Sequence, residues 1–364
     1  MVTGLKNAST STQQNGTNPL QSKGLNLDPR SLITKEGIHL ETLKRLAGQS
    51  ILSASQFDKT LVLELCKFAA FLEVTEIASG HPLDGKIVVT AFFEASTRTR
   101  LSFESAVLRL DGTVISIPDG RTSGLEKGES LTDMGEMLNA YGDLVVMRHT
   151  ETQALEDLTT NLRLPIINAG NGSGEHPTQA LADWYAILKW YPDLKHTGSP
   201  LKKINIGIMG TPGNMRAVKS FLLMSLLFHQ GIQSLSIVSE MADPLGPELQ
   251  AAVEASGITY NTTVDINEVV PDLDVIYMNS ISFLGDSYKV LDQKNRLDTD
   301  SPLKPGAVIL HPLARLNELS TSLDYTEHNL YFTQAHGAVF IRQALLISIF
   351  DRFDRLPRTI PIQQ

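Results

Sequence analysis

From about Ile38 onward the chain alternates short apolar runs of strand length with segments whose apolar residues recur every three to four positions, and few architectures satisfy both patterns at once. The runs Lys86–Phe93 (KIVVTAFF), Thr113–Pro118, Leu144–Met147 and Pro165–Ala169 read as strands. Between and around them lie a helix over Lys59–Leu72, a helix carrying Phe103, Ala106, Val107 and Leu110 at i, i+3, i+4 and i+7, and helices over Leu131–Tyr141 and Pro177–Trp190. Strands that are apolar throughout and joined by crossover helices belong to a parallel sheet covered on both faces. After the polar, Pro- and Gly-containing stretch Trp190–Lys203 the alternation resumes, with strands at Ile204–Met209, Leu235–Val238, Val275–Met278 and Val308–Leu310 and a helix over Arg216–Phe228. The expected fold is α/β: two doubly wound parallel-sheet domains with a cleft between them, where such sheets place their ligands.

A chain of 364 residues exceeds what a single core usually serves, which agrees with two domains. Thirteen of the first 22 residues are Ser, Thr, Asn or Gln, so residues 1–37 are expected to be a disordered tail. The first domain is expected over 38–190, completed by a returning helix over 334–356, and the second over 204–333. A net charge of −9 argues against a nucleic acid or an anionic membrane as the main partner, so any anion site must be built locally. The longest strongly apolar run, Phe221–Phe228, is far shorter than the roughly 20 residues of a membrane-spanning helix. The single cysteine, Cys66, excludes an internal disulfide and a Cys-rich zinc site and reads as a small buried hydrophobe. Cytoplasmic residence is expected; the hydroxyl-rich, acid-free start keeps organelle targeting as the alternative.

The sharpest chemical segment is Glu94-Ala95-Ser96-Thr97-Arg98-Thr99-Arg100, lying between an apolar strand and an amphipathic helix. Such a junction aims unpaired backbone N–H groups, hydroxyls and a guanidinium at one point, and arginines at a helix N-terminus oppose its dipole unless an anion joins them. A second segment, Asn168-Ala169-Gly170-Asn171-Gly172-Ser173-Gly174-Glu175-His176-Pro177-Thr178-Gln179, is a Gly-rich loop entering a helix at a proline, a geometry that presents His176 and Gln179 to a ligand. Arg148 stands at the end of the strand Leu144–Met147, and Thr122–Ser130 is a Gly-bounded polar loop. The glycines at 207, 210 and 213 fail the G-x-G-x-x-G spacing, so no dinucleotide cofactor is implied.

These motifs, in this order from about Ile38 to the C-terminus, resemble the aspartate/ornithine carbamoyltransferases, whose fingerprint is Ser-Thr-Arg-Thr-Arg where a strand hands over to a helix. The resemblance implies that Ser96, Thr97, Arg98 and Thr99 grip the phosphate of carbamoyl phosphate. It implies further that Arg148 and His176 reach the carbamoyl oxygen and that Gln179 reads the carbamoyl amide. Arg98, Thr99, Arg148 and His176 would then be the catalytic set. Ser123 and Lys127 match a loop that crosses into the neighbouring subunit's site, which implies a homotrimer with shared sites. Arg216 matches an arginine for the acceptor's α-carboxylate. His311-Pro312-Leu313-Ala314-Arg315 is similar to the aspartate branch, with Ala314 in place of proline and Leu313 offering its carbonyl to the acceptor. The partners implied are carbamoyl phosphate and an amino-acid amine, and the chemistry requires neither metal nor organic cofactor.

One stretch departs from the family. Where the aspartate enzymes carry an arginine and, two residues on, a glutamine that hold the acceptor, this chain has Ser280 and Ser282, followed by Phe283-Leu284-Gly285-Asp286. Loss of an arginine paired with a buried carboxylate costs roughly 2–5 kcal/mol, so ordinary aspartate is not the expected acceptor. Either the acceptor's side chain is neutral or cationic, with Asp286 a partner, or the loop realigns so that Lys289 supplies the charge. A true aspartate carbamoyltransferase of pyrimidine synthesis and a non-catalytic binding or scaffold homologue are the alternatives.

Overall fold

The computed structural model describes residues 23–33, 37–75, 80–196, 202–279, 295–357 and 362–363. In chain order, the first part contains β1 (Ile38–His39), α1 (Leu40–Lys44), α2 (Lys59–Thr75), β2 (Ile87–Phe92), α3 (Thr97–Arg109), β3 (Thr113–Ile117), α4 (Leu131–Leu138), β4 (Leu144–His149), α5 (Ala154–Thr159), β5 (Ile166–Asn171) and α6 (Pro177–Trp190). There follow β6 (Ile204–Met209), α7 (Arg216–Leu226), β7 (Ile232–Val238), α8 (Gly246–Ser256), β8 (Thr259–Thr263), β9 (Val275–Met278), β10 (Val308–Leu310), α9 (Tyr331–Ile349) and β11 (Ile362–Gln363). β1 and β11 pair in parallel as a small separate ribbon.

Two parallel sheets result, ordered β3-β2-β4-β5 and β10-β9-β6-β7-β8. In the first, the chain runs outward from β2 to β3 and then crosses to β4 on the other side of β2. In the second it runs outward from β6 through β7 to β8 and returns to β9 on the opposite side. Each sheet therefore reverses direction beside its first strand, and the crevice for a ligand opens at the carboxyl ends of β2 and β4 and of β6 and β9.

Strand alternation sorts side chains between two faces. Val88 and Phe92 of β2 enter the central core, whereas Val89 and Ala91 join Met134, Leu138, Leu155 and Leu158 on the outer face. The central core continues into the second sheet through α6, which is buried on nearly every side, as a helix apolar all round must be. Trp184 of α6 stacks on Phe228 with centroids 3.9 Å apart, and Phe221 of α7 stacks on Tyr277 of β9 at 4.0 Å. The returning helix α9 packs on α2, α3 and α6.

Residues 23–33, expected within a disordered tail, are ordered here. Pro29–Leu32 forms a 3-10 turn capped by Asp28, Leu32 is buried, and Leu25, Leu27 and Ile33 pack on the central core. Averaged over 37 residues, those four aliphatic side chains are masked by the hydroxyl-rich sequence before them. β8, with the sequence TYNTT, is a polar edge strand that apolar patterning does not reveal.

Because Phe221 is fully buried in the ring stack joining α7 to the second sheet, Phe221→Ala is expected to destabilise the protein by about 3–5 kcal/mol. The check is a lower midpoint in urea unfolding followed by tryptophan fluorescence.

Candidate active site

The turn after β2 delivers Ser96 as the N-cap of α3, but its hydroxyl makes no capping bond, and the first turn holds no acidic residue. The backbone donors of that turn are thus left to an outside anion. Arg98, the second helical residue, has no acidic partner among the described residues, while Arg100 is drawn aside to Glu104 at 3.6 Å and to Ser116. Among the described residues, only Arg98 of the two arginines is left without such a partner. Thr99 is buried, with its Oγ1 3.5 Å from Nε2 of His176.

His176 is presented by the loop after β5. Its backbone N–H donates to Ser220 Oγ at 2.9 Å, and neighbouring Glu175 accepts from Ser53 Oγ and the Ala54 N–H, both at 2.7 Å. Burial holds the His176 imidazole far below its ordinary pKa, and the positive charges of Arg148, Arg216 and Arg342 push the same way. It is a neutral hydrogen-bonding group at physiological pH.

The β2–β4 register pairs Phe92 with Arg148 and so brings that arginine beside the turn. There Glu94 occupies the centre. It accepts from Arg148 Nη2 at 2.6 Å and from Arg216 Nη1 at 2.7 Å, with a second, short bond from Arg216 Nη2. Arg216, from the start of α7, also donates to Gly172 O at 3.0 Å. Burial raises the Glu94 pKa, yet the two guanidiniums outweigh it and keep the carboxyl below its usual range. Gly170, with φ of 112°, permits the convergence: a Cβ there would lie 3.0 Å from Arg216 Nε. Sequence reasoning missed Glu94 as a site residue, although an acid inside an anion-binding turn was itself the signal.

Gln179, one turn into α6, donates through Nε2 to Asp183 Oδ1 at 2.7 Å, which leaves its Oε1 free to accept from a ligand amide. Gln334 of α9 also donates to Asp183 Oδ1 and accepts the His311 N–H at 2.9 Å. The buried His311 bonds Glu318 through Nε2 at 2.9 Å and takes the Leu313 N–H on Nδ1 at 2.8 Å, fixing the loop that carries Leu313. A cavity of ≈ 340 Å³ is lined by Thr97, Arg98, Thr99, Gln179, His311, Pro312, Gln334 and Arg342, among others.

Of the residues singled out in the sequence, Thr97, Arg98, Thr99 and Gln179 line this cavity; His176 meets Thr99, Arg148 and Arg216 meet on Glu94 beside the turn that holds Ser96, and the Leu313 N–H is bonded to His311. Ser123 and Lys127 do not line the cavity: Ser123 Oγ donates to Gly120 O at 2.6 Å, and Lys127 is exposed. Ser280, Ser282, Asp286 and Lys289 lie outside the described residues.

Comparison with known proteins agrees with this geometry. Residues 49–189 match the carbamoyl-P binding domain, and residues 202–349 the Asp/Orn binding domain, of aspartate/ornithine carbamoyltransferases. The aspartate carbamoyltransferase catalytic subunit of Pyrobaculum islandicum is 34% identical over 315 residues, covering 84% of this chain and 99% of that one. The chloroplastic aspartate carbamoyltransferase of Arabidopsis thaliana is 33% identical over 314 residues, covering 84% and 78%. Aspartate transcarbamoylase from Trypanosoma cruzi, solved in complex with carbamoyl phosphate and aspartate, is 31% identical and covers 84% of this chain and 98% of its own, with a TM-score of 0.73. The chain belongs to the aspartate/ornithine carbamoyltransferase family. It is a transferase similar to the aspartate carbamoyltransferases.

Glu94→Gln leaves Arg148 and Arg216 without their counter-charge. The variant should melt lower than the parent in differential scanning fluorimetry, and millimolar inorganic phosphate should raise its melting temperature more than the parent's.

Burial pushes the Asp183 carboxyl from 3.8 up to about 7, against the hydrogen bonds from Gln179 and Gln334. The folded state therefore holds this proton more tightly than the unfolded chain, and stability is lost as pH rises through that interval. Asp183→Asn should remove this component. Urea midpoints of parent and variant, compared from pH 4 to pH 7, should diverge with the variant gaining as pH rises, by an amount on the order of several kcal/mol.

Proposed function

We propose that the protein transfers the carbamoyl group of carbamoyl phosphate to the amine of an amino acid and releases phosphate. The single observation that carries this reading is the uncapped start of α3, with Arg98 lacking an acidic partner among the described residues and the buried Thr99 and His176 beside it. A neutral amine attacks the carbamoyl carbon, the new C–N bond replaces the C–O bond to phosphate, and the amine's proton passes to the departing phosphate. Thr99, Arg148 and His176 donate to the developing oxyanion, where preorganised donors have their largest effect. Ser96, Thr97 and Arg98 receive the phosphate, and Gln179 Oε1 accepts from the carbamoyl NH₂. A neutral His176 suits this role, because a buried imidazolium beside three arginines would be repelled.

In this reading the donor-binding part spans 38–190 with the returning stretch 334–356, where the expected single helix is α9, ending at Ile349, followed by a 3-10 turn at Phe353–Arg355, and the acceptor-binding part spans 204–333. Arg216 receives the acceptor's α-carboxylate in place of Glu94, and Leu313 offers its carbonyl to the amine. With Ser280 and Ser282 in place of the family's arginine and glutamine, the acceptor has a side chain other than that of aspartate, for which a neutral amide or a diamino acid fits best. A second reading, aspartate itself, is favoured by the similarity to aspartate carbamoyltransferases and by the Trypanosoma cruzi enzyme, which was solved with aspartate bound. Ser123 and Lys127 serve a neighbouring protomer of a homotrimer. In support, Lys127 is exposed, and Leu101 and Leu108 of α3 and Ile115 of the edge strand β3 are exposed apolar side chains.

Phosphate release from carbamoyl phosphate, measured across a panel of amino acids, tests both readings: the highest kcat/KM should fall on an amide or diamino acid, and a maximum on aspartate favours the second. Arg98→Ala should weaken carbamoyl phosphate binding by about 2 kcal/mol or more, roughly 30-fold in Kd by calorimetry, with the melting temperature little changed.

A further inference from the structure

Residues 23–33 precede both family matches, the first of which begins at residue 49, yet they touch both halves of the molecule. At one end they are anchored beside the first sheet. Leu32 is buried in the central core, and Lys195 Nζ donates to Ser31 O at 2.9 Å. The Pro29–Leu32 turn packs on α2 and α6.

At the other end the segment grips the start of α9. The Leu25 N–H donates to Asn329 O at 3.0 Å, and Thr333 Oγ1 donates to Leu25 O at 2.6 Å. Gly24 has φ of 120° and passes so close that a Cβ would lie 3.0 Å from Thr333 Oγ1 and 3.2 Å from Phe332 Cβ. Lys23 Nζ reaches Asp324 Oδ2 at 3.3 Å and lies 4.9 Å from the Tyr325 ring centroid.

Asp324 is the residue that holds the end of the His311–Arg315 loop. Both its oxygens accept from Arg315, and Tyr331 Oη donates to Oδ1 at 2.7 Å. Asn329 Nδ2, in turn, donates to Asp324 O at 2.8 Å. The segment thus closes on the Asp324 carboxylate, which holds Arg315, and on Asn329 and Thr333, between which the Leu330 N–H donates to Ile309 O just before the loop.

We propose that residues 23–33 are a strap that positions the 311–315 loop for the acceptor amine, with Lys23, Gly24 and Leu25 as positioning residues acting through Asp324 and the Asn329–Thr333 turn. This rests on the acceptor role given to Leu313 above. The strap spans from the first-sheet side to this loop, so it fixes the loop's place relative to the donor site as well as its shape. Most of its hold comes from the Leu25 bonds and the Gly24 approach, because Lys23 is half-exposed and an exposed ion pair contributes little.

The test uses full-length Gly24→Leu and Thr333→Val, with Thr333→Ser as the conservative control. Loss of one or two hydrogen bonds to the strap should raise KM for the amine about 3–10-fold, leave KM for carbamoyl phosphate unchanged, and speed amide hydrogen exchange across residues 311–316. Thr333→Ser should behave as the parent. Equal changes in both KM values, or exchange across 311–316 identical to the parent's, would overturn the proposal. If Gly24→Leu shows no cooperative melting, Thr333→Val decides by the same readouts. If the parent releases phosphate with no amine, the reading of function fails, and hydrogen exchange alone then decides whether the strap holds the loop.

Discussion

The site depends on a charge constraint: three guanidiniums converge in a crevice of an acidic protein, and something negative must sit among them. Glu94 meets part of that demand by accepting from Arg148 at 2.6 Å and Arg216 at 2.7 Å. Arg148 belongs to the first sheet and Arg216 to α7, the helix after the first strand of the second sheet, so one carboxylate couples the two halves across the cleft. An exposed ion pair would contribute little, but this one is partly desolvated and bidentate on the Arg216 side, the geometry in which such pairs are strong. A substrate carboxylate that takes Arg216 must compete with Glu94. Binding and interdomain contact are therefore the same equilibrium seen from two sides.

Topology explains why these groups meet. Both sheets reverse beside their first strand, so the loops after β2, β4 and β6 open toward a common crevice. The parallel register then does the fine placement: Phe92 pairs with Arg148, and the Phe93 N–H donates to Arg148 O at 2.8 Å, which sets the arginine beside Glu94. Burial is the main reason that His176 stays neutral, and the positive field that adds to it is the field that would attract a phosphate.

Much of this was legible in the sequence because the physics was local. A strand running into a helix that begins Ser-Thr-Arg-Thr announces its anion site through backbone donors alone, and His-Pro at a helix start fixes where His176 must stand. What was not legible depended on distant partners. Nothing near Arg100 in sequence shows that Glu104 and Ser116 draw it away from the anion, and Glu94 gains its meaning only when Arg216, 122 residues later, arrives beside it. The ordering of residues 23–33 has the same origin: Leu25 and Leu32 are unremarkable in a polar stretch until the core offers them a surface. β8 is held in place by pairing with β7 rather than by burial, so apolar periodicity cannot report it.

The donor and acceptor halves of the cleft also share a second carboxylate. Asp183 accepts from Gln179 and from Gln334, whose own oxygen takes the His311 N–H. Both amides are thereby oriented by one buried group: each must point its nitrogen at Asp183, so each must point its oxygen away. The Gln179 amide and, through Gln334, the root of the His311–Arg315 loop are then set by the same atom. A displacement of α9 that moved Gln334 would disturb the acceptor loop directly and Gln179 through Asp183. That shared dependence gives a physical reason for the C-terminal helix to pack on α2, α3 and α6, which precede it far back in the chain. The helix carries Gln334 to the place where one carboxylate orients it together with Gln179.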